Sequence, residues 1–349
     1  VRIGMPISYS ARFDETAAVI AEYEAVGLDT VFVAEAYSFD AVSQLGYLAA
    51  RTTTVEIASG ILNIYSRTPA LLAMTAAGLD FVSGGRFTLG IGASGPQVVE
   101  GFHGVPYTAP LGRTREVVEV CRTVWRREKL DHHGKQVDIP LTPERGGSGL
   151  GKPLKLINQP VRPRIPMVLA AIGPKNVALA AELFEGWQPT FFLPEGSATA
   201  FGDALADGTA RRDPELGSLQ IVVDTQLLIS EDADEQAAAF DRVRAQLALY
   251  VGGMGARGKN FYNDLAVRYG FVDEARTVQD LYLDGRKDEA AAALPEEFVR
   301  GVSLVGPRGH VAERIAAFRE AGVTTLNATP LAAEHAERLR AIETLKALA

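Results

Sequence analysis

The chain has 349 residues, 47% hydrophobic and 22% charged, which is enough apolar material for a large core and too much for a disordered chain. A formal net charge of −8 argues against a nucleic-acid partner, because a phosphate-binding surface needs a basic excess. The single cysteine, Cys121, excludes an intrachain disulfide and any cysteine-based zinc site, and no apolar run approaches the roughly 20 residues that cross a bilayer.

In chain order, the first third repeats one unit: a short apolar strand, a polar turn and an amphipathic helix. Ile3 to Ile7 reads as a strand rather than a signal-peptide core, so the expected compartment is the cytoplasm, with no membrane partner. A helix is expected from an N-cap at Asp14 to a stop at Gly27, with Val19, Ile20, Tyr23 and Val26 on one stripe. Thr30 to Ala34 is the second strand, followed by a helix from about Asp40 to Ala50. Val55 to Ile61 is the third, and its helix opens at Thr68–Pro69 with proline in the first helical position. Phe87 to Ile91 is the fourth. These starts recur about every 25 to 32 residues, the period of βα units with parallel strands and right-handed crossovers.

Four more strands are expected at Pro166–Ala170, Trp187–Phe192, Leu219–Ile229 and Val323–Ala328. Helical segments follow them, as in the stripe Phe240, Val243, Leu247 and Tyr250. Eight units predict an α/β fold, a closed (β/α)8 TIM barrel in one domain over 1–349, with a doubly wound open sheet as the alternative. Segments of about 94–112, 129–164 and 252–301 break the repeat. In a barrel, such insertions at the C-terminal rim cap a substrate pocket.

Few residues in this frame carry chemistry. Gly90-Ile-Gly92-Ala-Ser-Gly95 fits a dinucleotide fingerprint by spacing, but Pro96 follows at once and no clean helix continues it. It reads instead as a rim turn whose glycines admit a ring system closely. Gly173-Pro174-Lys175-Asn176 ends the fifth strand after Ala171 and opens a helix, where free amides, the positive helix end and Lys175 favour an anion. The ends of strands seven and eight lack the glycine loop of the usual barrel phosphate site, which weakens a sugar-phosphate isomerase or aldolase reading. Glu35 ends the second strand, where a carboxylate reads as functional. In Ser59-Gly60-Ile61-Leu62-Asn63, Gly60 suits a bulge and Asn63 offers a side-chain amide. None of the five histidines has metal-ligand spacing, so no metal is expected. Only His103, in the rim insertion, is a functional candidate. Cys121 lies on the stripe Val117, Cys121, Val124, Trp125 and reads as a buried apolar residue.

The stretch Ser94-Gly-Pro-Gln-Val-Val-Glu-Gly-Phe-His-Gly-Val-Pro-Tyr107 resembles deazaflavin-dependent members of the bacterial luciferase-like superfamily. That group includes methylenetetrahydromethanopterin reductase and the deazaflavin type of glucose-6-phosphate dehydrogenase. The similarity extends to Glu35-Ala-Tyr, Gly60-Ile-Leu-Asn63, Gly173-Pro-Lys-Asn176, Tyr250-Val-Gly-Gly-Met-Gly255, Asn260-Phe-Tyr and Gly322-Val-Thr-Thr-Leu-Asn327, and so spans nearly the whole chain. The resemblance implies a barrel homodimer with coenzyme F420 at the C-terminal rim and a non-proline cis peptide at Gly60–Ile61 behind its central ring. It places Glu35 and Asn63 at the ring system, Ser94, Gly95, Pro96 and Gln97 along the polar side chain, and Gly173 to Asn176 at the phosphodiester. The glucose-6-phosphate enzyme has a histidine after the acidic residue of strand two, where this chain has Ala36, so sugar-phosphate oxidation is not expected. By position, Glu35, Glu100 and His103 are the candidates for the proton donor.

The expected function is hydride transfer between the deazaflavin C5 and a small organic substrate. A flavin mononucleotide (FMN) monooxygenase on the same barrel is the alternative, and a non-catalytic flavin- or deazaflavin-binding protein is a third. Arg257 and Lys259, within the last insertion, are the expected contacts for an anionic cofactor tail or a substrate carboxylate.

Overall fold

Parallel strands too short to be stable alone are completed here by their neighbours on both edges. The computed structural model describes residues 1–7 and 12–349. Eight parallel strands follow one another: β1 Arg2–Ile7, β2 Thr30–Val33, β3 Glu56–Ser59, β4 Phe87–Gly92, β5 Met167–Ala170, β6 Gly186–Gln188, β7 Gln220–Ile229 and β8 Thr325–Pro330. Each pairs with the next, and the sheet closes where Arg2, Ile3 and Gly4 of β1 meet Thr325, Leu326 and Asn327 of β8. This is the expected (β/α)8 barrel.

The helices that cover it are α1 Phe13–Ala25, α2 Ala41–Arg51, α3 Pro69–Val82, α4 Pro110–Trp125, α5 Pro174–Leu183, α6 Pro194–Thr209 and α7 Ala233–Ala248. Asp40 caps α2 by accepting from the Ser43 amide at 2.8 Å, and Thr68 caps α3 by accepting from the Leu71 amide at 3.2 Å ahead of Pro69. The first helix departs from expectation. Arg12 holds its cap position, and Asp14 lies inside the first turn, paired with Arg12 at 2.6 Å, where it still meets the positive helix end.

Strand six is also shorter than expected. Phe191 has a φ of 51°, and this left-handed residue turns the chain out of β6 toward the start of α6. The last insertion is helical: α8 Phe261–Arg268, α9 Val272–Leu283, α10 Lys287–Ala292 and α11 Glu296–Gly301. Asn260 fixes its entry, donating to the carbonyls of Tyr250 and Val251 while its oxygen accepts from the Tyr262 amide at 2.9 Å. A short strand absent from the sequence reading, Leu304–Gly306, then runs along Leu227–Ile229 of β7. The helices α12 Arg308–Glu320 and α13 His335–Leu348 complete the cover.

Strand side chains alternate between two surroundings. Outward residues such as Ile3, Val31, Ile57, Leu89, Ile91 and Leu326 join one continuous apolar shell between strands and helices. Cys121 belongs to that shell, and burial pushes its thiol up to about 12. Inside the barrel, Phe32, Ala58 and Val222 form a separate small apolar cluster. Above this plug the described interior includes Gly60, Gly90, Gly92 and Ala170 on one side and Gln188, Asp224 and Asn327 on the other, small and polar positions where an ordinary barrel is filled by branched side chains.

Candidate functional site

The site begins with a break in one ladder. Ile57 and Ala58 pair with Phe87 and Thr88, and then the Gly60–Ile61 peptide is cis and the strand bulges. Across the gap, the Ser59 hydroxyl donates to the Gly90 carbonyl at 2.8 Å and accepts from the Gly90 amide at 2.9 Å, which replaces the missing backbone pair. Pairing resumes when Leu62 and Asn63 meet Ile91 and Gly92.

This arrangement explains the glycines differently from the sequence reading. Gly90 and Gly92 lie within β4 and not in a rim turn. A Cβ on Gly90 would fall 1.9 Å from the Ser59 carbonyl oxygen, and one on Gly92 would fall 3.0 Å from Ile61 Cδ1. Their first duty is to admit the bulge. The bulge in turn buries Asn63, whose oxygen accepts from the Tyr65 amide at 2.8 Å and whose Nδ2 has no partner. A buried donor left open in this way calls for an acceptor from a ligand or water.

Glu35, just beyond β2, is firmly engaged. Its carboxylate accepts from Arg67 through both oxygens, at 2.6 and 2.8 Å, and from the Ala41 amide at 3.2 Å. The side chains of Arg67 and Glu35 are only 12% and 10% exposed. Arg67 also reaches Asp40 at 2.7 Å, and its ionised form is favoured first by the hydrogen bond to Glu35. Arg67 was not a sequence candidate, because a lone arginine before a helix cap gives no signal that it will meet a carboxylate from another unit.

The rim insertion after β4 is braced by aromatic residues. Ser94 is left-handed at φ 57°, and its carbonyl accepts from the Tyr107 hydroxyl at 3.2 Å. Gly95, Pro96 and Gln97 lead into a single turn, Pro96–Val99. Tyr107 packs against Tyr65 at 5.3 Å, and Arg113 lies over the Tyr65 ring at 4.8 Å. Glu100 accepts from the Tyr107 amide at 3.1 Å, which fixes the loop, while the half-exposed His103 meets the edge of Phe102.

At the end of β5, Gly173 occupies the cap position of α5 with no side-chain cap, and Pro174 follows. The preceding loop is held from behind. The Ala171 carbonyl accepts from the Trp187 indole at 2.8 Å, and the Ile172 carbonyl from Arg268 at 2.6 Å. Lys175 is exposed on the wall of a hollow of about 220 Å3 shared with Arg115 and Arg211, while Asn176 stays beside the cap. Glu182 takes both arginines, Arg115 at 2.7 Å and Arg211 at 3.1 Å, so the hollow keeps a positive excess. An uncapped helix start beside that excess suits an anion.

The interior holds a group that the sequence reading passed over. Asp224 on β7 accepts from Asn327 of β8 at 2.5 Å and from Gln188 of β6 at 3.0 and 3.1 Å. Burial pushes its carboxyl up to about 6, against the opposing pull of the Asn327 and Gln188 hydrogen bonds. The signal was there: Val222, Asp224 and Gln226 alternate along β7, so one face of an apolar strand turns polar above the plug.

The last insertion brings Arg257 and Lys259 to an exposed turn. Arg257 pairs with Asp280 of α9 at 2.8 Å, so of the two only Lys259 lacks an assigned ion pair. Among the described residues, no group of three or more metal-ligating side chains occurs, and no helix is long and apolar enough to cross a membrane.

Residues 1–325 match the model of the luciferase-like monooxygenase family. The chain belongs to that family. It is 42% identical, over 93% of each chain, to a Mycobacterium tuberculosis protein named provisionally as a coenzyme F420-dependent oxidoreductase. Its fold is that of coenzyme F420-dependent tetrahydromethanopterin reductase from Methanopyrus kandleri, with a TM-score of 0.79 at 20% identity over 99% of this chain and 97% of that one. An FMN complex of the oxygenating component of 3,6-diketocamphane monooxygenase, from Pseudomonas putida, shares the fold with a TM-score of 0.66 at 19% identity over 99% and 96%.

Proposed function

We propose that this family member is an oxidoreductase that uses coenzyme F420 to exchange a hydride with a small organic substrate in the cytoplasm. The observation that carries the reading is the buried, unpartnered Asn63 Nδ2 beside the Gly60–Ile61 bulge. It is a donor aimed at no protein group, next to small residues that leave room for a flat ring. The F420 dependence named for the mycobacterial relative supports the choice of ring.

The residues present fit such a cofactor. Asn63 would donate to a ring acceptor, Gly60 and Ile61 would back the ring, and Ser94 to Gln97 would follow its polar chain. Ala171 and Gly173 to Asn176 would take the phosphodiester at the uncapped α5 start. When bound, a deazaflavin supplies two-electron hydride chemistry, and the protein supplies orientation and electrostatics. Glu35, held by Arg67, keeps the β2 loop and the start of α3 in place around that ring. Lys175 would meet the anionic tail, and Lys259 with Arg257 would lie further out along it.

The homodimer is part of the same reading. Leu71, Met74, Phe81 and Val82 form one exposed apolar stripe on α3, at 47–68% exposure, and a second copy would cover it. Light scattering should report a dimer that Met74→Glu with Phe81→Glu converts to a monomer.

The deciding experiment is a fluorescence titration of the protein with F420 and with FMN under one set of conditions. Tight, selective F420 binding is the expected outcome. Equal or tighter binding of FMN would put the monooxygenase reading first, and binding of neither would overturn both.

A further inference from the structure

Asp224 lies on the inner face of β7, held by two carboxamides, and nothing in the cofactor site uses it. It stands directly above the Phe32, Ala58 and Val222 plug, so the route to it runs from the C-terminal mouth of the barrel. Despite its depth it retains solvent-accessible surface, as do Gly60, Ile61, Ala170 and Gln226 around the same opening.

Its partners are arranged asymmetrically. Oδ1 accepts from both carboxamides, Asn327 at 2.5 Å and Gln188 at 3.1 Å, whereas Oδ2 shares only the Gln188 bond at 3.0 Å. Oδ2 therefore has room for a proton. Gln188 and Asn327 are 6% and 1% exposed, and each leaves its side-chain oxygen buried without a partner. The Gln226 side-chain oxygen is buried without a partner too, while its nitrogen meets Gln246 of α7. Two orphaned acceptors on the very residues that hold the carboxyl form a built polar floor that awaits a donor-bearing ligand or water. Among the described residues no charged side chain faces Asp224. Its partners are Gln188 on β6 and Asn327 on β8; Gly4 on β1 and Phe32 on β2 lie beside the Asn327 side chain, and Val222 and Gln226 flank Asp224 on its own strand.

We propose that Asp224 is the proton-exchanging residue of the site, with Gln188 and Asn327 as the residues that position its carboxyl. The proposal rests on the reading of a hydride-exchanging ring at the barrel mouth. In the direction of substrate reduction, the substrate carbon takes a hydride, with its electron pair, from the reduced deazaflavin. The π bond between that carbon and its heteroatom breaks, and the heteroatom takes the proton of Asp224 Oδ2. The carboxylate left behind is held by the two carboxamides and regains a proton from water at the open end. A carboxyl whose burial pushes it up to about 6 is suited to carry and release a proton near neutrality.

The test is infrared difference spectroscopy of the intact protein across pH 5 to 8, with Asp224→Asn as the control, before and after adding F420. The expected result is a protonated-carboxyl band at pH 5 that fades as pH rises, is absent from the variant, and shifts when F420 binds. Gln188→Leu should hold that band to higher pH, because one donor to the carboxylate is lost. Fluorescence run on the same samples reports whether F420 is bound. Binding without any change in the band would overturn the role of Asp224 and leave the cofactor reading standing. Absence of binding would overturn both, and a wild-type protein with no such band would overturn the proposal by itself.

Discussion

Between β3 and β5 the barrel interior is lined by Gly60, Gly90, Gly92 and Ala170, whereas between β6 and β8 it is lined by Gln188, Asp224, Gln226 and Asn327. The first wall is set by steric need. Gly90 and Gly92 exist because the neighbouring strand bulges into them, and the space left above is shaped by what they lack. The second wall is set by polar satisfaction. Gln188, Asp224 and Asn327 hold one another and Gln226 holds Gln246, yet three of their oxygens remain open. A small-residue wall tolerates no added volume, while a polar wall tolerates volume-conserving changes and responds to charge.

Substitutions on each wall should separate the two. The largest effect is expected for Gly90→Ala. Its Cβ would fall 1.9 Å from a backbone oxygen, so either the bulge or β4 must move, at about 4 kcal/mol or more in urea denaturation. Stability within about 1 kcal/mol of wild type would show that the ladder gap is softer than its geometry implies.

Next comes Arg67→Met, which leaves the Glu35 carboxylate buried without its guanidinium and should cost about 3 kcal/mol. Glu35→Gln combined with Arg67→Met should recover much of that loss, since the penalty lies mainly in the uncompensated charge. A double variant as unstable as the single one would place the role of Arg67 in packing.

On the polar wall, Asp224→Asn should stabilise the protein above pH 6 by about 2 kcal/mol. The sign follows from a folded-state carboxyl pushed above its unfolded value. Its contribution is fully present below about pH 4 and is lost as pH rises through about 6, whereas an amide does not titrate. Glu24 gives the opposite limb. Burial raises its carboxyl, but hydrogen bonds from the Thr54 and Val55 amides, the Thr54 hydroxyl and the Thr53 amide outweigh this and hold it at about 2. Its contribution is present above about pH 4.5 and is lost as pH falls toward 2. Thermal melts of Asp224→Asn and Glu24→Gln against wild type should therefore diverge in different pH windows.

The smallest effects belong to the rim cations. Lys175→Ala should weaken F420 by about fivefold at low salt and by less at high salt. Arg257→Ala with Lys259→Ala should weaken it by no more than about threefold, because Arg257 already pairs with Asp280 at 2.8 Å. A larger loss from the second variant would mean that this turn reorganises over the tail.

The strands and the helix starts at Asp40 and Thr68–Pro69 were legible because period-two apolar runs and cap residues act locally, within a few positions of the chain. Asp14 shows the limit: an acidic residue suits either the cap or the first turn, and local chemistry does not choose between them. Glu35, Asn63 and the α5 start stood out for a similar reason, since a polar residue at a strand end is a one-dimensional signal.

What only the tertiary structure decided is which of these polar groups are already satisfied. Glu35 is claimed by Arg67, a residue 32 positions away. Gly90 is explained by a Ser59 carbonyl from the neighbouring strand. Asp224 gains its character from Gln188 and Asn327, 36 and 103 positions distant, on the two strands that pair with β7 in the folded sheet. The sequence by itself therefore determined the units and their ends, because backbone propensity and hydrophobic period are properties of neighbours in the chain. The tertiary assembly of the units decided which carboxyl is neutralised and which is left buried beside open acceptors, because desolvation and hydrogen bonding depend on neighbours in space.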